Sequence, residues 1–325
     1  MQLQTLVSRG CRPPLGRSFA RALLVLLVLP VVVTLVSTLQ PATATANTRA
    51  LFVGNSYTFF NAPDDLKGVV KALLTEAASA QNPPPTIDVA EVTAGGYKLV
   101  QHANDAKTAG TSLQQALAKP WDVVVLQEQS QIPAFKQAGS SYYAQSLQSF
   151  LALDDLAEAA GATTLALLTW GRRDGDTQNA ALSTYKSMQK ALADGTLNYA
   201  KQASTPKRPV YVAPAGFAFE RVYDDIVAAG GQPAQAGSLF VRLYNGDGSH
   251  PSPLGTYLAG LVVVRTLTGV DVTTLTWKPA AVADADAKLL RAAAQAVVTD
   301  GPWQAGKPGG PDAGATDADA ADAAG

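Results

Sequence analysis

The chain has 325 residues, 47% of them hydrophobic, and a formal charge of −1, with two histidines and a single cysteine. That length and apolar content suit one large folded domain or two small ones, and the near-neutral charge gives no electrostatic footing for nucleic acid. Cys11 lies before the apolar run at 22–39, so the body of the chain offers no thiol for catalysis or for a cysteine-ligated metal.

The first 46 residues hold Arg9, Arg12, Arg17 and Arg21 and no acidic residue, then an uncharged run at 22–39, then Ala42-Thr43-Ala44-Thr45-Ala46. Basic, apolar, small is the order of a secretory signal, with Ala44 and Ala46 flanking the cut. The apolar run is also just long enough to cross a bilayer, so an uncleaved anchor is the alternative. Both place the body outside the cytoplasm, because the arginines stay inside. Any membrane contact is expected only through this segment.

Beyond Asn47, short β-branched runs alternate with longer amphipathic stretches. Strands are predicted at 50–53, 86–92, 122–126, 163–169 and 209–212. Helices are predicted at 64–80, 99–118, 142–160, 182–202, 252–267 and 282–298, with an irregular segment between the last strand and residue 252. The strands are nearly continuous apolar runs, above all Val123-Val124-Val125-Leu126, as expected of parallel strands covered on both faces. The expected fold class is α/β, a three-layer α/β/α sandwich on a mainly parallel five-stranded sheet. Residues 47–304 make that domain, and the Ala/Asp/Gly-rich stretch 305–325 is expected to be a disordered tail.

Two short motifs carry chemistry. Gly54-Asn55-Ser56-Tyr57-Thr58 follows the first strand, and Asp247-Gly248-Ser249-His250-Pro251 precedes a helix. Each has a plain structural reading alone, since Gly and Asn favour turns, Ser caps helices and Asp caps or turns. Together they supply a nucleophile, a base and a carboxylate to orient the base. Negative charge developing on a substrate carbonyl would need donors. Thr93-Ala94-Gly95-Gly96 and Gln127-Glu128-Gln129-Ser130, each after a predicted strand, can provide them.

In these blocks, and in their order, residues 50 to about 270 resemble the SGNH (GDSL-type) hydrolase superfamily of esterases, lipases and carbohydrate deacetylases. The resemblance implies Ser56 as nucleophile, His250 as base, Asp247 as its partner, and Ser56 N–H, Gly96 N–H and a glutamine amide as the oxyanion hole. Two departures stand out. Asn55 replaces the usual Asp, and Gln129 falls where the family has Asn, leaving either Gln129 or Gln127 as the donor. The implied activity is ester hydrolysis through an acyl-enzyme with no cofactor and no metal, on a small acyl group such as acetyl carried by a carbohydrate. A catalytically inactive carbohydrate-binding module on the same fold is the second reading.

Asn55, Gln127, Trp170 and Arg172 are further candidates for substrate contact, the last two because Trp170-Gly171-Arg172-Arg173 follows the fourth strand on the same rim. His102 shares helical spacing with Leu99 and Ala103 and reads as a packed or surface histidine. Asp64-Asp65 and Asp154-Asp155 read as caps or solvated faces. Gly95-Gly96 lacks the later glycine of a dinucleotide fingerprint.

Overall fold

The computed structural model describes residues 47–299; the expected signal segment and the expected tail lie outside the described residues. The strands are β1 Thr48–Gly54, β2 Ile87–Thr93, β3 Val123–Leu126, β4 Thr163–Leu167 and β5 Tyr211–Ala213. They form one sheet, parallel throughout, in the order β2-β1-β3-β4-β5. The helices are α1 Ser56–Phe59, α2 Leu66–Ala78, α3 Leu99–Lys107, α4 Ser112–Leu117, α5 Ser141–Ala159, α6 Tyr185–Ala203, α7 Ala215–Ala228, α8 Leu239–Arg242, α9 Pro253–Thr268 and α10 Asp284–Thr299.

Strand side chains alternate between faces, which builds two cores. Ala50, Phe52, Val123 and Val125 pack with residues of α2, α7, α9 and α10 on one face. Leu51, Val53, Val124 and Leu126 pack with residues of α3, α5 and α6 on the other. Burial on both faces is why these strands read as unbroken apolar runs. The fold is thus the expected three-layer sandwich. The chain leaves β1 toward the α2 face and leaves β3 toward the α5 face. Their carboxyl ends therefore flank the switch point, where open α/β sheets place their ligands.

Several elements differ from expectation. The helix predicted over 99–118 is two, because Gly110 takes φ +82 and Thr111 caps a new helix by accepting from Gln114 N–H. The segment read as irregular contains α7, whose Ala215, Ala218, Phe219 and Val222 are buried. Its cap residue, Pro214, makes no side-chain cap bond, and Gly216 sits in its first turn, so α7 lacks a local start signal. Asp154 is no solvated face: it is buried on α5 and paired with Arg208, the chain's approach to β5. Asp65 is the N-cap of α2, accepting from Gly68 N–H at 2.8 Å.

Candidate active site

Central strand β1, bonded on both sides, delivers the serine. A Cβ on Gly54 would come within 2.5 Å of Gln127 Oε1 and 2.7 Å of Thr58 Oγ1, so only glycine lets the strand end lie this close to β3's exit loop. Asn55 then caps α1, its Oδ1 accepting from Tyr57 N–H at 3.1 Å. Its Nδ2 donates to the Tyr97 carbonyl at 2.9 Å, and its backbone N–H donates to Gln127 Oε1 at 2.9 Å. Asn55 is the cap, so the Ser56 hydroxyl is not consumed by the helix. It lies 2.9 Å from His250 Nε2.

The second arm is the turn before α9. His250 Nδ1 is 2.5 Å from Asp247 Oδ2, while Asp247 Oδ1 accepts from the N–H groups of Ser249 at 2.8 Å and His250 at 2.9 Å. With Nδ1–H donating to the carboxylate, Nε2 is the acceptor for the serine hydroxyl. Burial pushes the Asp247 pKa up, but the bonds from His250 and from the two backbone N–H groups outweigh it and leave the carboxyl below its ordinary value. The imidazole stacks on Phe60, ring centroids 4.5 Å apart, and meets the edge of Tyr57 at 5.5 Å.

Contacts near and distant in sequence hold this turn. Asn245 N–H donates to the His250 carbonyl at 2.8 Å, Ser252 N–H to Leu243 at 2.8 Å, and Arg173 N–H to Gly248 at 2.8 Å. Trp170 Nε1–H donates to the Ser249 carbonyl at 3.1 Å. The indole is fully buried, stacked between Tyr57 at 5.0 Å and Phe219 at 4.5 Å. The expectation that Trp170 touches substrate is therefore corrected: it is a core residue that carries the histidine turn.

Two backbone donors face no acceptor among the described residues: the N–H of Ser56, at the start of α1, and that of Gly96, which sits at φ +68. The loop bearing Gly96 is drawn onto the serine turn by Ala94 N–H to the Gly54 carbonyl, 3.4 Å, and by the Asn55–Tyr97 bond. Gln127 is buried, accepting from Asn55 N–H and Thr58 Oγ1–H and donating to the Glu128 carbonyl. It and Asn55 are bound up inside the turn, which corrects their reading as substrate contacts. Gln129 is half-buried; its Oε1 accepts from Gln131 N–H at 3.1 Å, and its Nε2 reaches Ser130 Oγ only at 3.4 Å. Its amide N–H is the least committed donor of the pair. Arg172 lines a polar cleft beside Asp247.

Residues that the sequence did not single out complete the site. Glu128 Oε1 accepts from Leu99 N–H at 3.0 Å and from Gln129 N–H at 2.6 Å. Its Oε2 accepts from Ser146 Oγ–H, which in turn accepts from Tyr199 O–H at 2.8 Å. One buried carboxyl thus ties the Gly96 loop's helix to the Gln129 loop, and burial raises its pKa despite these donors. A lone acid just past four buried strand residues was the available signal. Tyr57 O–H shares a 2.7 Å bond with Ser249 Oγ. His102 is buried under the strand end, with Nε2 2.8 Å from the Gly54 carbonyl rather than on the serine.

No protein-family model matches the sequence, and no curated protein matches it either. Solved structures do. A DUF4886 family protein from Bacteroides uniformis is similar at 17% identity over 80% of this chain and 97% of its own, with a TM-score of 0.60. A candidate SGNH hydrolase from Slackia heliotrinireducens is similar at 27% identity over 67% of this chain and 97% of its own, TM-score 0.47. A variant of an acetylxylan esterase from Geobacillus stearothermophilus follows at 11% identity, over 69% of this chain and 93% of its own, TM-score 0.43. The first likeness is one of fold. It agrees with the three-layer α/β/α sandwich on a parallel sheet described above.

Proposed function

We propose that the protein is an exported serine esterase working through Ser56, His250 and Asp247. The observation that carries this reading is the unbroken hydrogen-bonded line from Ser56 Oγ through His250 to Asp247. His250 Nε2 takes the hydroxyl proton as Ser56 Oγ attacks the ester carbonyl, and Asp247 stabilises the imidazolium. The N–H groups of Ser56 and Gly96, with the Gln129 amide as third donor, receive the oxyanion. His250 returns the proton to the leaving alcohol, then activates water to release the acid from Ser56. None of these steps calls on a metal or cofactor. Small acyl esters on carbohydrate are the expected substrates, in keeping with the sequence resemblance and with export by the N-terminal segment.

The test is labelling of the purified protein by a serine-reactive fluorophosphonate, with hydrolysis of p-nitrophenyl acetate measured alongside. Ser56→Ala should abolish labelling, and Ser56→Ala and His250→Ala should each lower kcat by about 10⁴-fold or more. Labelling that persists in Ser56→Ala overturns the nucleophile assignment. Absence of both labelling and hydrolysis in the unaltered protein favours the binding module.

A further inference from the structure

Beside the triad lies a polar cleft of about 330 Å³, lined by Gln131, Arg172, Asp174, Asp176, Gln178 and Asp247. Its charged groups are matched with one exception. Asp174 is paired with Arg173, whose guanidinium donates at 3.0 and 2.7 Å. Asp176 accepts from Gln131 Nε2–H at 2.7 Å and from Gln178 N–H at 3.2 Å. Asp247 is held by His250 and two backbone N–H groups.

Arg172 has no such match. Its backbone is fixed by N–H donation to Met188 Sδ at 3.4 Å, and its Nε is buried without a protein acceptor. Among the described residues its guanidinium forms no ion pair, although three aspartates line the same cleft. That Nε is closed to a ligand as well, but the end of the guanidinium, which forms no ion pair among the described residues, can pair with an acceptor that a ligand brings into the cleft. The planar guanidinium fits a carboxylate two bonds at a time. The three aspartates repel any anion, but a doubly charged phosphate about twice as strongly as a singly charged carboxylate, which leaves the carboxylate as the anion Arg172 can best hold there.

We propose that Arg172 anchors a carboxylate borne by the ester substrate, seated in the cleft that adjoins Asp247. This rests on the esterase reading above. The carboxylate can lie on the alcohol or on the acyl side of the ester, so two matched pairs test it. 4-Acetoxybenzoate is compared with 4-acetoxybenzamide, and p-nitrophenyl hemisuccinate with p-nitrophenyl butyrate.

In at least one pair the acid should have the higher kcat/KM by about 10- to 100-fold, the worth of a charge-assisted hydrogen bond, expressed mainly in KM. That ratio, taken within each variant, should fall to near one in Arg172→Gln, survive in part in Arg172→Lys, and shrink as salt is raised. Hydrolysis of all four esters with ratios near one, or a ratio unmoved by Arg172→Gln, overturns the carboxylate site and leaves the esterase intact. If no ester is turned over and the fluorophosphonate does not label, the esterase reading has failed. The site is then judged by binding of 4-hydroxybenzoate to the full chain. Binding lost in Arg172→Gln supports the anchor, and absent or unchanged binding overturns it.

Discussion

Ser56 stands two residues beyond a central strand, whereas His250 stands in a turn that no strand supports, and the two arms are held by different means. The serine arm is fixed from below, by Gln127, just past β3, on Asn55 and Thr58 and by His102, on α3, on the Gly54 carbonyl. The histidine arm is fixed from the side, by Trp170, Arg173 and the pairing of Asn245 with His250. Rigidity at the serine comes with the sheet. At the histidine it has to be built from aromatic stacking and loop-to-loop backbone bonds, and so it depends on side chains outside the Ser56–His250–Asp247 line.

Removing the aromatic support should have the largest effect. Trp170→Ala deletes a fully buried indole and should cost roughly 3–5 kcal/mol in urea unfolding. Trp170→Phe keeps a ring between Tyr57 and Phe219 but loses the bond to Ser249. It should cost about 1 kcal/mol in stability and lower kcat disproportionately. If Trp170→Phe leaves kcat unchanged, the side-held account of the histidine arm is wrong.

The serine side has its own weak point at Glu128. Glu128→Ala strands the N–H groups of Leu99 and Gln129, at roughly 1–3 kcal/mol for each group left unpaired. Fluorophosphonate labelling should slow as the Gly96 and Gln129 loops lose their common anchor, and Glu128→Gln should restore much of it. Loss of stability with an unchanged labelling rate would confine Glu128 to folding.

The smallest effect is a pH dependence. Burial lowers the His102 pKa below its ordinary value, against the opposing effects of the Gly54 carbonyl and Asp105. The unfolded chain then takes up a proton as pH falls below about 6.5, while the native state stays neutral. Stability is full above that pH and declines beneath it, by at most about 1.4 kcal/mol per pH unit, until the native histidine also titrates. His102→Gln should flatten the difference in Tm between about pH 7.5 and 5.5. An unaltered slope assigns the titration elsewhere.

The contrast between the arms also marks what could be read in advance. Strand positions, the fold class and the order of the chemical blocks were legible because apolar runs, turn residues and cap residues act over a few positions. Helix α7 was not, since it begins at Pro214-Ala215-Gly216 and is held by packing of Ala218, Phe219 and Val222. Trp170 looked like a rim residue because a strand end predicts location, not direction. Only the stack with Tyr57 and Phe219 turns it inward.

The sequence by itself determined that a serine turn would follow the first strand and that Asp247 would lie within reach of His250, because both depend on neighbours along the chain. Tertiary structure alone decided that Ser56 and His250 come within 2.9 Å across nearly the whole domain. It also decided that Glu128 joins two loops and that Arg172 Nε is buried without an acceptor among the described residues. Such pairings depend on which distant groups fill one another's hydrogen-bonding capacity, and local propensity carries no record of that.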